Sequence, residues 1–468
     1  MQIPILNGIY ADPTGNFRTV YPKNLIPVPK KQGISEGYLK PADGIVEFAN
    51  GPGIDRGGIN WNGSLYRAMG DKLCRINRKG EVTIVGTIDN GEEPVSFAFS
   101  FDRLAIASER KLFYYDGTNF TQVTDPDLGE VLDVVWIDGY FMTTDGNSLV
   151  VTELNDPTQV NNLKYGSSEI NPDSIKGLLV FRGEAYAINR YTIEVFSNVG
   201  GQFFPFRRID GAMIPLGGVG VNSACVYSKE IVAVVGGGEN EPVSVYFILN
   251  GQHTNISTRE VDTILQSYSE AELASVYVES RLDRQNSFLY IHLPTKTLVY
   301  DHKASQVVGE PVWFILTSSI VDDGIYRARY LVWVYDKWIT GDITSNKLGY
   351  FTDEVSGHYD DEVGYEFATS ILYNEGKGII IHELELIVLS GHIANNAKTT
   401  IWTSFSTDLE TWSMEVPRTA GKIGNRNVRL NWLQQGNMRN FRIQKFRGTS
   451  SAHLSFARLE ARIETLND

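Results

Sequence analysis

The 468-residue chain predicts an all-β protein, a β-propeller followed by a β-sandwich. Three observations carry that expectation. From about residue 53 to residue 362, short runs rich in Val, Ile, Tyr, Phe and Trp alternate with Gly, Asp and Asn turns. These runs group into about seven units, six being the other count the spacing allows. Each unit is about 30 to 45 residues long and worth three or four strands, the period of a propeller blade. Beyond about Val363 the alternating runs lengthen, over a stretch of the size of one sandwich domain. An array of several sandwiches is the main rival architecture.

Residues 1–52 differ in composition from the rest of the chain. They hold seven of the seventeen prolines: Pro4, Pro13, Pro22, Pro27, Pro29, Pro41 and Pro52. Proline fixes φ and donates no backbone hydrogen bond, so the segment suits neither a central strand nor a helix interior. It is expected to be an extended arm lying on another surface, of this chain or of a neighbouring subunit. Deleting residues 1–40 is then expected to weaken assembly and leave the β body folded.

Residues 53–362 are assigned to the propeller. Asp138-Gly139, Asp145-Gly146 and Arg182-Gly183 mark tight hairpin reversals, and Gly70-Asp71 marks another. The pattern Tyr-Asp after an apolar run occurs at Tyr115-Asp116, Tyr300-Asp301 and Tyr335-Asp336. Blades hide their strand edges by radial stacking and therefore need repeated tight polar turns. Asp supplies such turns, while the Tyr before it can pack its ring and wet its hydroxyl. Asp116 and Asp336 sit in different strand contexts, so shared turn chemistry explains the letters as well as a repeat does.

One stretch breaks the β pattern. In "STREVDTILQSYSEAELASVYVES" (257–280), Ser257 with Glu260 and Ser269 with Glu272 have capping-box spacing. Val261, Ile264 and Leu265 fall on one helix face, and Leu273, Val276 and Tyr277 on another. A helix pair inserted at 258–278 serves either as a packing strut or as a docking element. Residues 363–468 are assigned to the sandwich, where "IIIHELELIVLSG" and "AHLSFARLEARIE" alternate with period two.

With 56 acidic and 42 basic residues the net charge is −14, and no basic stripe suited to gripping phosphates is present; "PKNLIPVPKK" (22–31) comes nearest. Such a surface serves solubility in the plain reading; the sharper alternative is a surface that DNA slides past without sticking. Cys74 and Cys225 are too few for a disulfide framework or a zinc site, as in a protein made in a reducing cytosol. The start "MQIPILNGIYADPTG" has no signal-peptide pattern, and no apolar run is long enough for a membrane-spanning helix.

Catalytic motifs are missing. Neither a phosphate loop nor a G-x-S-x-G elbow occurs. "LGGVGVNSA" (216–224) lacks dinucleotide-site spacing and reads as a turn. "IHELE" (381–385) lacks the second His of a zinc motif, and Glu383 and Glu385 alternate with Leu384 and Leu386 as on a strand. His292 and His302 flank one hairpin. Asp322 and Asp323, the group Asp360, Asp361 and Glu362, and "TDPDLGE" (124–130) could offer carboxylates to calcium, but solvated loops are the reading they favour. "SFSTDLETW" (404–412) resembles the Asp-box turn of sialidase-like propellers in degenerate form, without the arginine cluster or tyrosine nucleophile of a sialidase. No catalytic, cofactor-binding or metal-binding residue is assigned, and the chain is not expected to be an enzyme.

Residues 264–306 also resemble a known family, the tail hub of short-tailed phages, also termed the packaged-DNA stabilisation protein or tail accessory factor. The resemblance rests on Ser267-Tyr268, Glu270 and Glu272, then Ile291-His292-Leu293-Pro294 and Leu298-Val299-Tyr300-Asp301. In the same order come "YPKNLIP", "GYLKPADGI" (37–45), "DRGGINWNGSLYRAMGDKL" (55–73), "YRARYLVWVYDKWITGD" (326–342) and "KLGYF". It runs from the N-terminus to about residue 355 and is strongest between 259 and 342. The resemblance implies a structural virion protein, made in the host bacterial cytoplasm, that forms a hexameric ring below the portal and adaptor. It implies that the ring holds the tail needle and tailspikes, retains packaged DNA, and passes DNA without sequence-specific binding during ejection. The alternative is a glycan-binding or glycan-cleaving propeller acting as a receptor-binding tail component, which the eight tryptophans and the Asp-box-like turn suggest. A cellular interaction scaffold is the third reading.

Overall fold

The computed structural model describes all residues except 7, 12–16, 31–35, 155, 169–171, 284–285, 322, 390–398, 409, 423, 426, 452 and 467–468, and of 8–11 and 17–20 the backbone alone. Seven antiparallel sheets follow one another along the chain, with strands spanning 55–87, 96–122, 133–167, 175–208, 217–255, 277–316 and 328–352. These are blades one to seven. Blade seven takes its fourth strand from the other end of the chain: Gly44–Asn50 pairs with Lys347–Thr352. The ring is closed by the segment that precedes blade one, so the propeller begins before residue 53.

Alternation along the strands explains the circle. In blade two, Leu104 and Ile106 face blade one, whereas Ala105 and Ala107 face blade three. Successive side chains point to opposite faces of a sheet, and both faces of a blade are covered. The buried apolar residues accordingly fall into seven junction cores, one between each adjacent pair of blades. The last, between blades seven and one, joins Val332, Val334 and Leu348 to Leu65, Met69 and Ile76.

The turns follow from their residues. Asn62-Gly63, Asp138-Gly139, Arg182-Gly183 and Asn250-Gly251 all have positive φ at both positions, as two-residue hairpins require. The three Tyr-Asp copies do three different things. Asp116 accepts hydrogen bonds from the Thr118 and Asn119 amides in a side-chain turn. Tyr335-Asp336 form a two-residue hairpin with φ of 56° and 61°. Asp301 caps a helix, α3 (His302–Val308), which ends at Gly309 with φ of 89°. The shared letters are convergent turn chemistry. Helix α3 was not expected from the sequence, although an Asp and a Gly bracket it.

The inserted pair is α1 (Arg259–Gln266) and α2 (Glu270–Leu273). Ser269 and Glu272 form the expected capping box. The first expected box is absent; Thr258, not Ser257, caps α1, and Ser257 instead bonds to Asn255 at 2.7 Å and Asp262 at 2.5 Å. Val261, Leu265 and Leu273 are buried in the junction core of blades five and six, so the pair is a strut between them.

The sandwich has two sheets. One runs Leu25–Pro29, Gly37–Pro41, Ser455–Thr465, Ile379–Leu389 and Leu430–Leu433, with Gln2–Ile3 also paired to Ser455–Thr465. The other runs Gly364–Ala368, Phe441–Thr449, Thr400–Ser406 and Val416–Thr419. Their shared core takes Ile3, Ile5, Leu25 and Leu39 from the start of the chain and Phe446, Phe456 and Leu459 from its end. The proline-rich segment is therefore strands built into both domains, not an arm laid on a finished surface. Its first part completes the sandwich and its last part closes the propeller. Proline permits this because Pro27 and Pro29 lie on the edge strand, where missing amides disrupt no inner ladder.

Candidate functional site

The propeller and sandwich are fastened together at Pro22–Asn24. The Lys23 amide donates to the Glu366 carbonyl of the sandwich at 2.8 Å, while the Asn24 amide donates to the Ile315 carbonyl of blade six at 2.8 Å. Asn24 is buried, with φ of 51°, and its side chain reaches both bodies. Its Nδ2 donates to the carbonyls of Thr317 at 3.0 Å and Gly364 at 2.7 Å, and its Oδ1 accepts from the Thr317 amide at 3.0 Å. Around this point Lys23 pairs with Asp323 at 2.6 Å, Lys296 also reaches Asp323, and Lys445 reaches Glu366 at 3.7 Å. Lys23 and Lys296 hold Asp323 below the usual carboxylate range against the opposing effect of burial. This clasp bonds the two domains to each other through one buried side chain and a ring of ion pairs, and the sequence offers only "YPKNLIP" as its trace.

A second polar group lies where the ring closes. Asp55 and Arg67 of blade one are wholly buried, their charged groups 3.3 Å apart. Arg67 also donates to the Tyr330 carbonyl of blade seven at 2.7 Å, where a strand irregularity holds Tyr330 at φ of 62°. Burial, set against Arg67, pushes the Asp55 carboxyl up to about 7. In blade six Glu279 accepts from the Leu331 amide at 2.6 Å and bonds to His292 at 2.8 Å. Burial lowers the His292 pKa.

Asp133 ties blades three and four, accepting from the Val134 and Leu178 amides, each at 2.8 Å. Burial pushes its carboxyl up to about 6. Asp133→Ala is expected to cost about 1–3 kcal/mol, because the Leu178 amide loses its buried acceptor. Urea denaturation of the two proteins measures the difference.

His358 is buried with its Nδ1 2.9 Å from the Ser318 hydroxyl. Burial, then the Arg327 charge, lowers its pKa to about 3. A histidine held neutral in the folded state contributes stability that is complete above its ordinary value of about 6.5 and lost as pH falls toward the folded value. About 2 kcal/mol should go between pH 6.5 and 5. His358→Gln should flatten that limb of the stability–pH curve; an unchanged slope contradicts the assignment.

The sequence-derived candidates come to rest in structural roles. His292 faces Glu279 and Thr297, while His302 packs against Tyr227 and Phe247, and the two do not converge. Asp361 pairs with Arg327 at 3.0 Å. Asp322 lies outside the described residues. Asp125 accepts from the Asp127 and Val160 amides. In the Asp-box-like turn, Asp408 accepts from the Thr411 side chain and from the Thr411 and Glu410 amides, which hold its carboxyl far below the usual range. The turn thus braces the sandwich hairpin between Thr400–Ser406 and Val416–Thr419. Glu383 and Glu385 project from the strand Ile379–Leu389, and Glu385 pairs with Arg429. The Gly-rich stretch is a close backbone contact, since a Cβ on Gly236 would sit 1.7 Å from the Gly217 carbonyl oxygen. Burial pushes the Cys74 thiol up to about 12 and raises that of Cys225 as well. Among the described residues, no group of three or more His, Cys, Asp and Glu could hold a metal ion, and no helix is long and apolar enough to cross a membrane.

Comparison with known proteins adds a lineage to this geometry. The family model for the β-propeller of bacteriophage P22 Gp10 matches residues 1–356, and that for the β-sandwich of P22 Gp10 matches residues 364–464. The tail hub protein gp10 of Salmonella phage P22 is 26% identical over 378 residues, covering 76% of this chain and 77% of its own. Among solved structures, the Neurospora crassa Pan2 WD40 domain is 12% identical with a TM-score of 0.44, over 66% of this chain and 95% of that one. Kluyveromyces lactis Hsv2 is 9% identical with a TM-score of 0.35, over 71% of this chain and 95% of that one. Matched in both domains and in the same order, this chain belongs to the P22 Gp10 family.

Proposed function

We propose that the chain is a structural tail hub protein of a short-tailed phage, resident in the virion tail, and not an enzyme. The observation that carries this reading is the match of both domains to the Gp10 family in one continuous chain. The clasp at Asn24 supports it, because a coupling piece under load must not let its two bodies swing. In the full proposal, copies made in the host bacterial cytoplasm close into a hexameric ring below the portal and adaptor. The ring holds the tail needle and the tailspikes, retains the packaged DNA, and lets DNA pass during ejection without sequence-specific contacts. A ring needs a heterologous interface, one patch meeting a different patch on the next copy. The net charge of −14 suits a conduit that must not bind its cargo.

Two measurements test the reading. Purified protein added to adaptor-capped portal should appear as a ring by electron microscopy. Particles produced without the protein should package DNA and then lose it. Particles that keep their DNA and remain infectious without it would rule the proposal out.

A further inference from the structure

Blades six and seven diverge at the end where the first hairpin of each one turns, leaving a cleft of about 890 Å³. That size is within the range of small-molecule sites. One wall is aromatic. Trp333 and Trp338 face each other across the first hairpin of blade seven, ring centroids 5.5 Å apart and planes at 59°. Trp333 is 50% exposed, so much of its indole is open to an occupant. Phe351 continues the wall beneath the guanidinium of Arg281, which lies 4.7 Å from the ring centre.

The remaining surface is polar and built. Arg281 is only 8% exposed and is fixed by Asp43 at 2.6 Å and Asp283 at 3.3 Å. Asn286 and Asp353 also line the cleft. Three carboxylates, Asp43, Asp283 and Asp353, stand against two cations, Lys40 and Arg281. A polyanion such as nucleic acid or an acidic glycan is therefore disfavoured.

Flat apolar ring faces beside planar amide, carboxylate and guanidinium groups match one chemistry well. A pyranose has an apolar C–H face for an indole and hydroxyl pairs for the planar polar groups. We propose that this cleft binds an uncharged oligosaccharide, with Trp333 and Trp338 as the stacking platform and Asn286 and Asp353 as hydroxyl partners. The assignment does not rest on the tail-hub reading.

The test uses the full chain. A glycan array of neutral hexose and N-acetylhexosamine oligomers identifies a binder. Titration with that saccharide then follows the 19F resonances of 5-fluorotryptophan at positions 333 and 338. The expected result is saturable binding that shifts both resonances and weakens at least about tenfold, some 1.4 kcal/mol, in a W333A/W338A variant. Trp136→Ala, an exposed tryptophan on blade three, should leave the affinity unchanged. The proposal is overturned by an array without neutral-glycan hits, or by binding that leaves both resonances unmoved. It is also overturned if an arginine-rich peptide alone shifts them, which would mark the cleft as a protein-docking surface. The 19F shifts are read on the unsubstituted fold, so they decide the proposal even where the W333A/W338A variant fails to fold.

Discussion

A chain beginning at Gly51 is expected to lose cooperative folding of both domains, not merely a partner contact. Truncation removes Gln2–Ile3, Leu25–Pro29 and Gly37–Pro41 from the sandwich and Gly44–Asn50 from blade seven. The sandwich core loses Ile3, Ile5, Leu25 and Leu39, all buried. Full burial of such side chains contributes about 1.5–3 kcal/mol each, so their sum matches the net stability of a typical domain. The outer edge of Lys347–Thr352 is left open, an invitation to aggregation. This replaces the sequence-based expectation that residues 1–40 can be deleted without unfolding. Thermal melts followed by circular dichroism check it; a cooperative transition within a few degrees of the full chain would contradict the role assigned to this segment.

Arg67→Met is expected to destabilise the propeller by about 3–5 kcal/mol, because it strands the buried Asp55 carboxyl without its cation. The companion change Asp55→Asn should recover part of that loss in the double variant, since no buried charge is then left unmatched. Both side chains are fully buried at the closing seam, and Arg67 additionally bonds to Tyr330 on the last blade. The effect should therefore concentrate on blades seven and one. Urea unfolding gives the energies, and hydrogen exchange of the amides in Ser64–Met69 and Ala328–Val334 gives the location. Equal losses in the single and double variants would show that the pair is not coupled.

Much of this fold is legible in the residues. Asp138-Gly139 and Arg182-Gly183 announce their hairpins because Gly takes the second positive φ without strain, and the period of the turns then counts the blades. Ser269 and Glu272 mark α2 because a capping box is local chemistry. What escapes is whatever depends on distant partners. Pro27 and Pro29 argue against a central strand, yet nothing local shows that an edge position awaits them beside Gly37–Pro41. Asn24 draws its role from Thr317 and Gly364, far along the chain, and its own neighbours contain no hint of either. The Trp333–Trp338 cleft depends on a turn that is readable, Tyr335-Asp336, and on the divergence of two blades that is not. Asp301 shows the converse error, in which a familiar dipeptide suggests a reversal and the chain instead winds one short helix.

Because Gly37–Pro41 and Ser455–Thr465 share a sheet, the sandwich cannot be finished until residue 465 has been made. The propeller can close once residue 352 has been made, but its neighbour must wait for the final strand, Ser455–Thr465. Any docking surface on that second body comes into existence only once Ser455–Thr465 has paired. A chain truncated before Ser455 lacks the strand that joins Gly37–Pro41 to Ile379–Leu389, so its second domain has no continuous sheet.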